Sequence, residues 1–536
     1  MFGIVGGEAQ ALRFDEVDDL DFYLTRHEFA AGIMADVYAR LTGHPQMCYS
    51  TFGPGLTNLA TGVCSATLDR SPMLAVSAQV PRAERRFNQT HQCIDNAAVI
   101  RPMAKFAHEL ESVDEIPDVV THALQIARSD VPGPSFISFP LDLMQAEIDD
   151  ADAFRRLDRM ANTDPSAPAE ADPSELAWLT RTLAAAKRPM ALAGNAVIRG
   201  GAGTALRELL ERYQLPLVTT LASKGVLPAD HPLYVGACNK YLDGILAHPV
   251  LDSLFAECDL MLLIGYDFGE DVKPGQWKRN DKLQTISLTA SPNPMGSVFA
   301  PDKEIVGNLR GALTKLLELA SAPPPPLDLR HESLQQLRTL KRRAIESSPE
   351  SPPDATAIVA AVRDALGRDG ILCSDIGLHK QYAGLFSDTF APNTFLCSNG
   401  CGTFGFGLPA GMAAKLAHPE RRVAVVCGDG GFHSTSQDLE TAARYRLPIV
   451  VVLLKDNAFG LIKYYQLTKH EDVFGDSVDF GAVDFVKLAE ANGVIGRKVD
   501  SLTTLREQLE QAFGEGKPVL LEVPVKYQYQ FDAPTA

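Results

Sequence analysis

The sequence contains no apolar run approaching the ~18 residues that a membrane-spanning helix requires. Its N-terminus has no basic region leading into an apolar segment, so no secretory signal is expected there. CxxC pairs are absent. The nine cysteines (Cys48, Cys64, Cys93, Cys238, Cys258, Cys373, Cys397, Cys401 and Cys427) are scattered and odd in number, so neither a disulfide framework nor a zinc site is indicated. Cys397 and Cys401 are near in sequence, but no second ligand pair follows them. Positive charge is also short: 50 Lys+Arg stand against 67 Asp+Glu, a net charge of −17. That field repels phosphate backbones and anionic lipid, which excludes nucleic acid and membrane surfaces as partners. An anionic cofactor would need a local device, either a metal ion or a helix N-terminus. The expected compartment is the reducing cytoplasm.

What is present is ordinary globular material, 46% hydrophobic and 22% charged, in a chain of 536 residues that is too long for one core. Two Pro-rich stretches divide it. The first carries Pro165, Pro168 and Pro173; the second starts at Pro323–Pro326 and leads through a charged helical pattern (330–345) to Pro349, Pro352 and Pro353. Domains are therefore expected at 1–150, 174–320 and 354–536, with linkers at 151–173 and 321–353. Each block alternates β-branched runs with helical patterns, the mark of consecutive doubly wound α/β domains with mostly parallel sheets. Strands are predicted at 47–50, 73–77, 190–193, 260–264, 422–427 and 449–454, and a helix over 28–40. Met1–Gly7 reads as a strand end and glycine turn, so the first sheet is expected to lack its usual opening helix.

The most informative stretch is 423–465. One buried strand runs into Gly428-Asp429-Gly430-Gly431, and the next into Lys455-Asp456-Asn457-Ala458. A right-handed βαβ crossover brings the two strand ends, and hence Asp429 and Asp456, to one edge of the sheet. Ligands of such sheets bind outside that edge. Two carboxylates beside free glycine N–H groups suit a divalent cation holding a diphosphate. Taken alone, Gly-Asp-Gly also reads as a turn, and Asp456-Asn457 as a helix cap.

These residues resemble the metal–diphosphate motif of thiamine-diphosphate-dependent enzymes of the acetolactate synthase superfamily. The resemblance extends over nearly the whole chain. It includes Arg26-His27-Glu28, Thr51-Phe52-Gly53-Pro54-Gly55-Leu56-Thr57-Asn58, Ser374-Asp375-Ile376-Gly377 and Gly400–Gly407. It implies thiamine diphosphate and Mg2+ as cofactors, and pyrimidine-binding, central and diphosphate-binding domains in that order. Asp429, Asp456 and the carbonyl of Ala458 would ligate the metal. Glu28 would hydrogen-bond a pyrimidine nitrogen and promote loss of the thiazolium proton. Gly53, Pro54, Asn58, Gly377, His379, Gly402, Phe404, Gly430 and Gly431 would complete the coenzyme site, with Phe404 holding the coenzyme bent. Glu28 also reads as an acid stabilised at a helix N-terminus, and Gly402–Gly407 as close helix-on-sheet packing.

Finer motifs point within the superfamily. His91-Gln92-Cys93, together with Gly265–Asp271, Gly431–Ser434 and Leu521–Val525, resembles carboxyethylarginine synthase, which implies a small, possibly phosphorylated aldehyde donor or a 2-oxo acid. His91 and Gln92 are the catalytic candidates on this side. Cys93, Tyr266, Lys380 and His433 are candidates for substrate contact, each with a packing or structural alternative. Leu378-His379-Lys380-Gln381 departs from that synthase, which has an Arg-His pair at positions 380 and 381, and it resembles acetolactate synthases instead. Lys in place of Arg removes a bidentate fork for an anion. A pyruvate-decarboxylating carboligase is therefore the alternative. A flavin or nucleotide oxidoreductase using Gly194–Gly203 is more remote, because no GxGxxG follows a strand there. A silent binding homologue conflicts with the presence of Glu28, Asp429 and Asp456. The superfamily's sites lie between subunits, which implies a homodimer or homotetramer.

Overall fold

The computed structural model describes residues 1–7, 14, 17–85, 91–129, 131–146, 155, 169–238, 249–267, 269–270, 272–293, 299–320, 328–470 and 475–527. Three six-stranded sheets follow one another along the chain. The first is built from β1 (Phe2–Gly3), β2 (Tyr23–Leu24), β3 (Gln46–Ser50), β4 (Met73–Gln79), β5 (Phe106–Glu109) and β6 (Pro134–Pro140), in the order β2-β1-β3-β4-β6-β5. The second holds β7 (Pro189–Ala193), β8 (Leu217–Thr219), β9 (Tyr234–Ala237), β10 (Leu260–Ile264), β11 (Gln284–Thr289) and β12 (Lys303–Val306), in the order β12-β11-β10-β7-β8-β9. The third holds β13 (Ile371–Ser374), β14 (Phe395–Leu396), β15 (Val423–Gly428), β16 (Val450–Lys455), β17 (Ile495–Lys498) and β18 (Val519–Pro524), in the order β14-β13-β15-β16-β18-β17. Counted from its own first strand, the third sheet repeats the topology of the first, and the central sheet does not. Pairing within all three sheets is parallel.

The predicted strands coincide with β3, β4, β7, β10, β15 and β16 to within a residue or two at each end, and the predicted helix 28–40 with α1 (Glu28–Thr42). β15 and β16 are buried along almost their whole length, as Val- and Leu-rich strands covered on both faces must be. Each linker region contributes a helix: Pro173–Ala185 begins at the last residue of the first linker, and Asp328–Glu346 occupies most of the second. The second of these covers the central domain with Leu334. Its polar sequence hid that role, because one apolar stripe on a charged helix resembles a solvated spacer.

The cores do not divide along the same lines as the sheets. One cluster runs through the first and third domains together, from Phe29, Ile33 and Met34 of α1 to Phe406, Leu408 and Met412 of the helix Gly407–Ala417. The central sheet has its own core on each face. No helix among the described residues is long and apolar enough to cross a membrane.

Candidate active site

The strand order of the third sheet reverses between β13 and β15, and a crevice opens at such a switch point beyond the strands' carboxyl ends. The turn after β13 supplies Asp375 and Gly377, and the helix Leu378–Phe386 that follows supplies His379; β15 runs directly into the short helix Asp429–Phe432, which supplies Asp429, Gly430 and Gly431. β16 lies beside β15 with Leu454 opposite Gly428, so Asp456 emerges next to Asp429. Asp429 is fully buried, and its carboxylate accepts from Asn457 N at 2.7 Å and from Gly430 N at 2.9 Å. Burial raises the Asp429 carboxyl above its ordinary range. Burial, reinforced by the charge of Asp429, pushes Asp456 up to about 7. The two carboxylates are therefore close enough to repel, which is the arrangement that a divalent cation relieves. Ala458, the next residue but one, is fixed by a bridge to Asp479, and Asn457 between them takes a left-handed φ of 54°.

Three buried polar atoms around this edge have no protein partner among the described residues: His379 Nε2, Asp375 Oδ2 and Asn457 Oδ1. A Cβ on Gly428 would stand 3.1 Å from His379 Nδ1, so the ring lies on the turn that carries Asp429. Burial pushes His379 down to about 4, leaving a neutral imidazole. Asp375 accepts from Ile376 N at 2.6 Å and Gly405 N at 2.9 Å, and burial still pushes it up to about 7. It ties the loop after β13 to the loop bearing Gly402 and Phe404. Asp375 is absent from the sequence-derived set of site residues, although the signal that marks Asp429 and Asp456, a carboxylate just past a buried strand, applies to it equally. Phe404 is 53% exposed, and its ring stands 6.3 Å from Phe459, which in turn packs on Phe480.

A second cluster lies at the switch point of the first sheet, between β1 and β3. Glu28 opens α1 and is buried; its Oε2 accepts from Asn58 Nδ2 at 3.0 Å. Asn58 belongs to α2 (Pro54–Leu68), which Pro54 starts with its preset φ after Gly53 at φ 61°. Gln92 closes on Gly53: a Cβ there would lie 2.7 Å from that of Gln92. Gln92 itself has φ 60°, and its buried Oε1 has no partner among the described residues. His91 is exposed beside it, and Cys93 is half-buried against a small apolar cluster. Residues 86–90, just before them, lie outside the described residues.

The structure thus gathers Glu28, Gly53, Pro54, Asn58, Gln92 and, at the rim, His91 into one cluster. Gly377, His379, Gly402, Phe404, Gly430, Gly431, Asp429, Asp456 and Ala458 fall into another. Within one chain the first and third domains meet where Phe29 of α1 packs on Gly405 and where Asp438 accepts from Arg26 N at 2.8 Å. Three expected substrate contacts pack against protein groups. Tyr266 is buried in the central core, its hydroxyl donating to Val272 O at 2.6 Å, so it is a packing tyrosine and not one at a mouth. Lys380 is buried, with Nζ donating to Ser398 O at 3.0 Å. His433 is exposed against Phe485, at 5.3 Å between ring centroids. In the Gly265–Asp271 run, Phe268 and Asp271 are outside the described residues. The glycine-rich turn after β7 is filled from within: Glu270 accepts from Asn195 N at 2.8 Å and from Thr220 Oγ1, which occupies the helix start that a nucleotide phosphate would need.

Among the described residues no group of three or more His, Cys, Asp or Glu side chains is placed to hold a metal. Mg2+ is usually bound through one or two carboxylates plus phosphate oxygens, with water completing its shell, and the Asp429–Asp456 pair fits that pattern. Comparison with known families matches residues 1–99 to the thiamine pyrophosphate enzyme N-terminal TPP binding domain, 176–316 to the central domain and 375–523 to the C-terminal TPP binding domain. The chain is 32% identical to an acetolactate synthase of Bacillus subtilis, over 98% of this chain and 90% of that protein. It is 32% identical to a probable acetolactate synthase large subunit of Methanocaldococcus jannaschii (98% and 89% covered) and 29% identical to the large subunit of acetolactate synthase isozyme 3 of Escherichia coli (96% and 89%).

Proposed function

Since the chain belongs to the acetolactate synthase family of thiamine pyrophosphate enzymes, we propose that it is a Mg2+-dependent carboligase of the acetolactate synthase type, with a 2-oxo acid as donor. The observation that carries this reading is the pairing of Asp429 and Asp456, each raised in pKa, beside the unpartnered His379 Nε2 and Asn457 Oδ1. A buried pair of carboxylates with orphaned polar neighbours fits a metal–diphosphate group, which would neutralise the first and satisfy the second.

Thiamine diphosphate, when bound, supplies a carbon acid whose carbanion adds to carbonyl donors. The chain's own residues do the rest. Asp429, Asp456 and the Ala458 carbonyl would hold the metal, and the N–H groups of Gly430 and Gly431 with a neutral His379 would face the diphosphate. Glu28, its carboxylate oriented by Asn58, would hydrogen-bond the pyrimidine ring. The Gly402 carbonyl and the exposed Phe404 ring would complete the contacts to the coenzyme's pyrimidine end. Gln92 and His91, at the Gly53 turn, would face the donor. The relatives named as large subunits support an assembly of subunits, and a homodimer or homotetramer would bring the Glu28 cluster of one chain to the Asp429 cluster of another.

The names of the relatives favour acetolactate formation over the carboxyethylarginine synthase reading, which the His91-Gln92-Cys93 run keeps as a second possibility. Incubation of the full chain with thiamine diphosphate, Mg2+ and pyruvate is expected to yield acetolactate by mass. A product only from glyceraldehyde 3-phosphate plus arginine would replace the first reading with the second. Glu28→Gln is expected to abolish turnover in either case; retained turnover would remove Glu28 from the chemistry.

A further inference from the structure

Two half-buried thiols that stand 337 positions apart in sequence face each other across the joint between the first and third domains. Cys64 lies on α2, and Cys401 lies in the loop that carries Gly402 and Phe404. Cys401 Sγ donates to Cys64 Sγ at 3.8 Å. Of the other seven cysteines, six are buried and Cys93 is half-buried. The frame around the pair is firm. Asp69, which ends α2, accepts from Asn399 N at 3.1 Å and also binds Arg40, whose Nη1 donates to Cys397 O at 3.1 Å. The C-terminal end of α2 and the segment that leads into Cys401 are thus tied together close to the sulfur pair. Gly400 and Gly402 flank Cys401, and Gly402 has a φ of 64°. This backbone can therefore adjust as the sulfurs close to the ~2.05 Å of a disulfide.

We propose that Cys64 and Cys401 are a reversible dithiol–disulfide modification site that staples the first domain to the third and immobilises the loop bearing Gly402 and Phe404. The hydrogen bond from Cys401 brings the Cys64 thiol down to about 7, so Cys64 is the attacking thiolate at neutral pH. The oxidant is hydrogen peroxide. The Cys64 thiolate attacks the O–O bond, which breaks and releases hydroxide, and Cys64 becomes a sulfenic acid. The Cys401 sulfur then displaces that hydroxyl as water while forming the S–S bond. Two thiols and one peroxide give one disulfide and two waters. A dithiol reductant reverses the step by exchange. Such pairs in reducing compartments are transient sensors and not permanent cross-links.

The test uses the full chain, treated with stoichiometric hydrogen peroxide at pH 8, blocked with iodoacetamide and digested without reductant. A peptide pair joined through Cys64 and Cys401 and released by dithiothreitol is expected. Hydrogen–deuterium exchange over 397–406 is expected to slow at least threefold in the oxidised protein, and in neither Cys64→Ser nor Cys401→Ser. Recovery of the two cysteines on separate peptides, alkylated or as sulfinic acids, would overturn the proposal. So would a joined pair whose loop exchanges at an unchanged rate, or equal slowing in either serine variant. These readouts need no substrate, so their failure is separate from failure of the carboligase reading.

Discussion

Gly32 of α1 and Gly62 of α2 meet backbone to backbone: a Cβ built on Gly62 would stand 2.6 Å from Gly32 Cα, and one on Gly32 would stand 2.8 Å from Gly62 Cα. One turn earlier in each helix come Glu28 and Asn58, whose 3.0 Å hydrogen bond depends on that close crossing. Gly62→Ala must push the helices apart, at a cost of about 1–3 kcal/mol in stability. A shift of about 1 Å at a reacting group can lower turnover about 100-fold. The expected outcome is a fall in kcat of at least tenfold with the affinity for thiamine diphosphate little changed, read from steady-state kinetics and calorimetric titration on the same protein.

At the metal edge the same substitution should act in opposite directions on the free and loaded protein. Asp456 is pushed up to about 7 by burial and by Asp429, so Asp456→Asn removes a repulsion and should raise the thermal midpoint of the coenzyme-free protein at pH 8. It also removes a cation ligand. Titration of thiamine diphosphate in excess Mg2+ is expected to show at least tenfold weaker binding. A lower midpoint without coenzyme, or unchanged binding, would contradict the carboxylate-pair account.

Glu270 offers a pH test away from that edge. Burial pushes its carboxyl up to about 7, above the ordinary glutamate value. Between those two values, as pH rises, the unfolded chain loses the proton and the folded one keeps it. The associated stability is thus fully present below about pH 4.5 and lost as pH climbs through about 7, on the order of 3 kcal/mol in total. Glu270→Gln keeps an acceptor for Asn195 N and has no proton to lose. The variant should gain on the wild type between pH 5 and pH 8 in thermal unfolding; a constant difference would show that Glu270 does not titrate in that window.

How far the sequence could be read depended on how local the geometry was. Asp429 and Asp456 could be placed side by side because parallel strands joined by one crossover leave few ways for their ends to lie. The α1 boundary was legible from Glu28, an acid opening a helical pattern, and the structure adds a cap, His27 Nδ1 accepting from Phe29 N. Tyr266 and Lys380 were not, since a tyrosine or lysine beside a site motif has the same letters whether it faces a ligand or, as here, Val272 O and Ser398 O. The repeat of the first sheet's topology in the third was hidden because strand order is set by long-range pairing, which short apolar runs do not encode. Cys64 and Cys401 were separated by most of the chain, and their meeting depends on how two domains dock.

The core that runs unbroken from Phe29, Ile33 and Met34 to Phe406, Leu408 and Met412 has a thermodynamic consequence. Neither outer domain can melt while the other keeps its shape, because each would leave a greasy face bare to water. Scanning calorimetry should resolve two cooperative events, one for the joined ends of the chain and one for its middle. An excised fragment of residues 1–150 should behave as a loosely collapsed, dye-binding species and not as a folded unit.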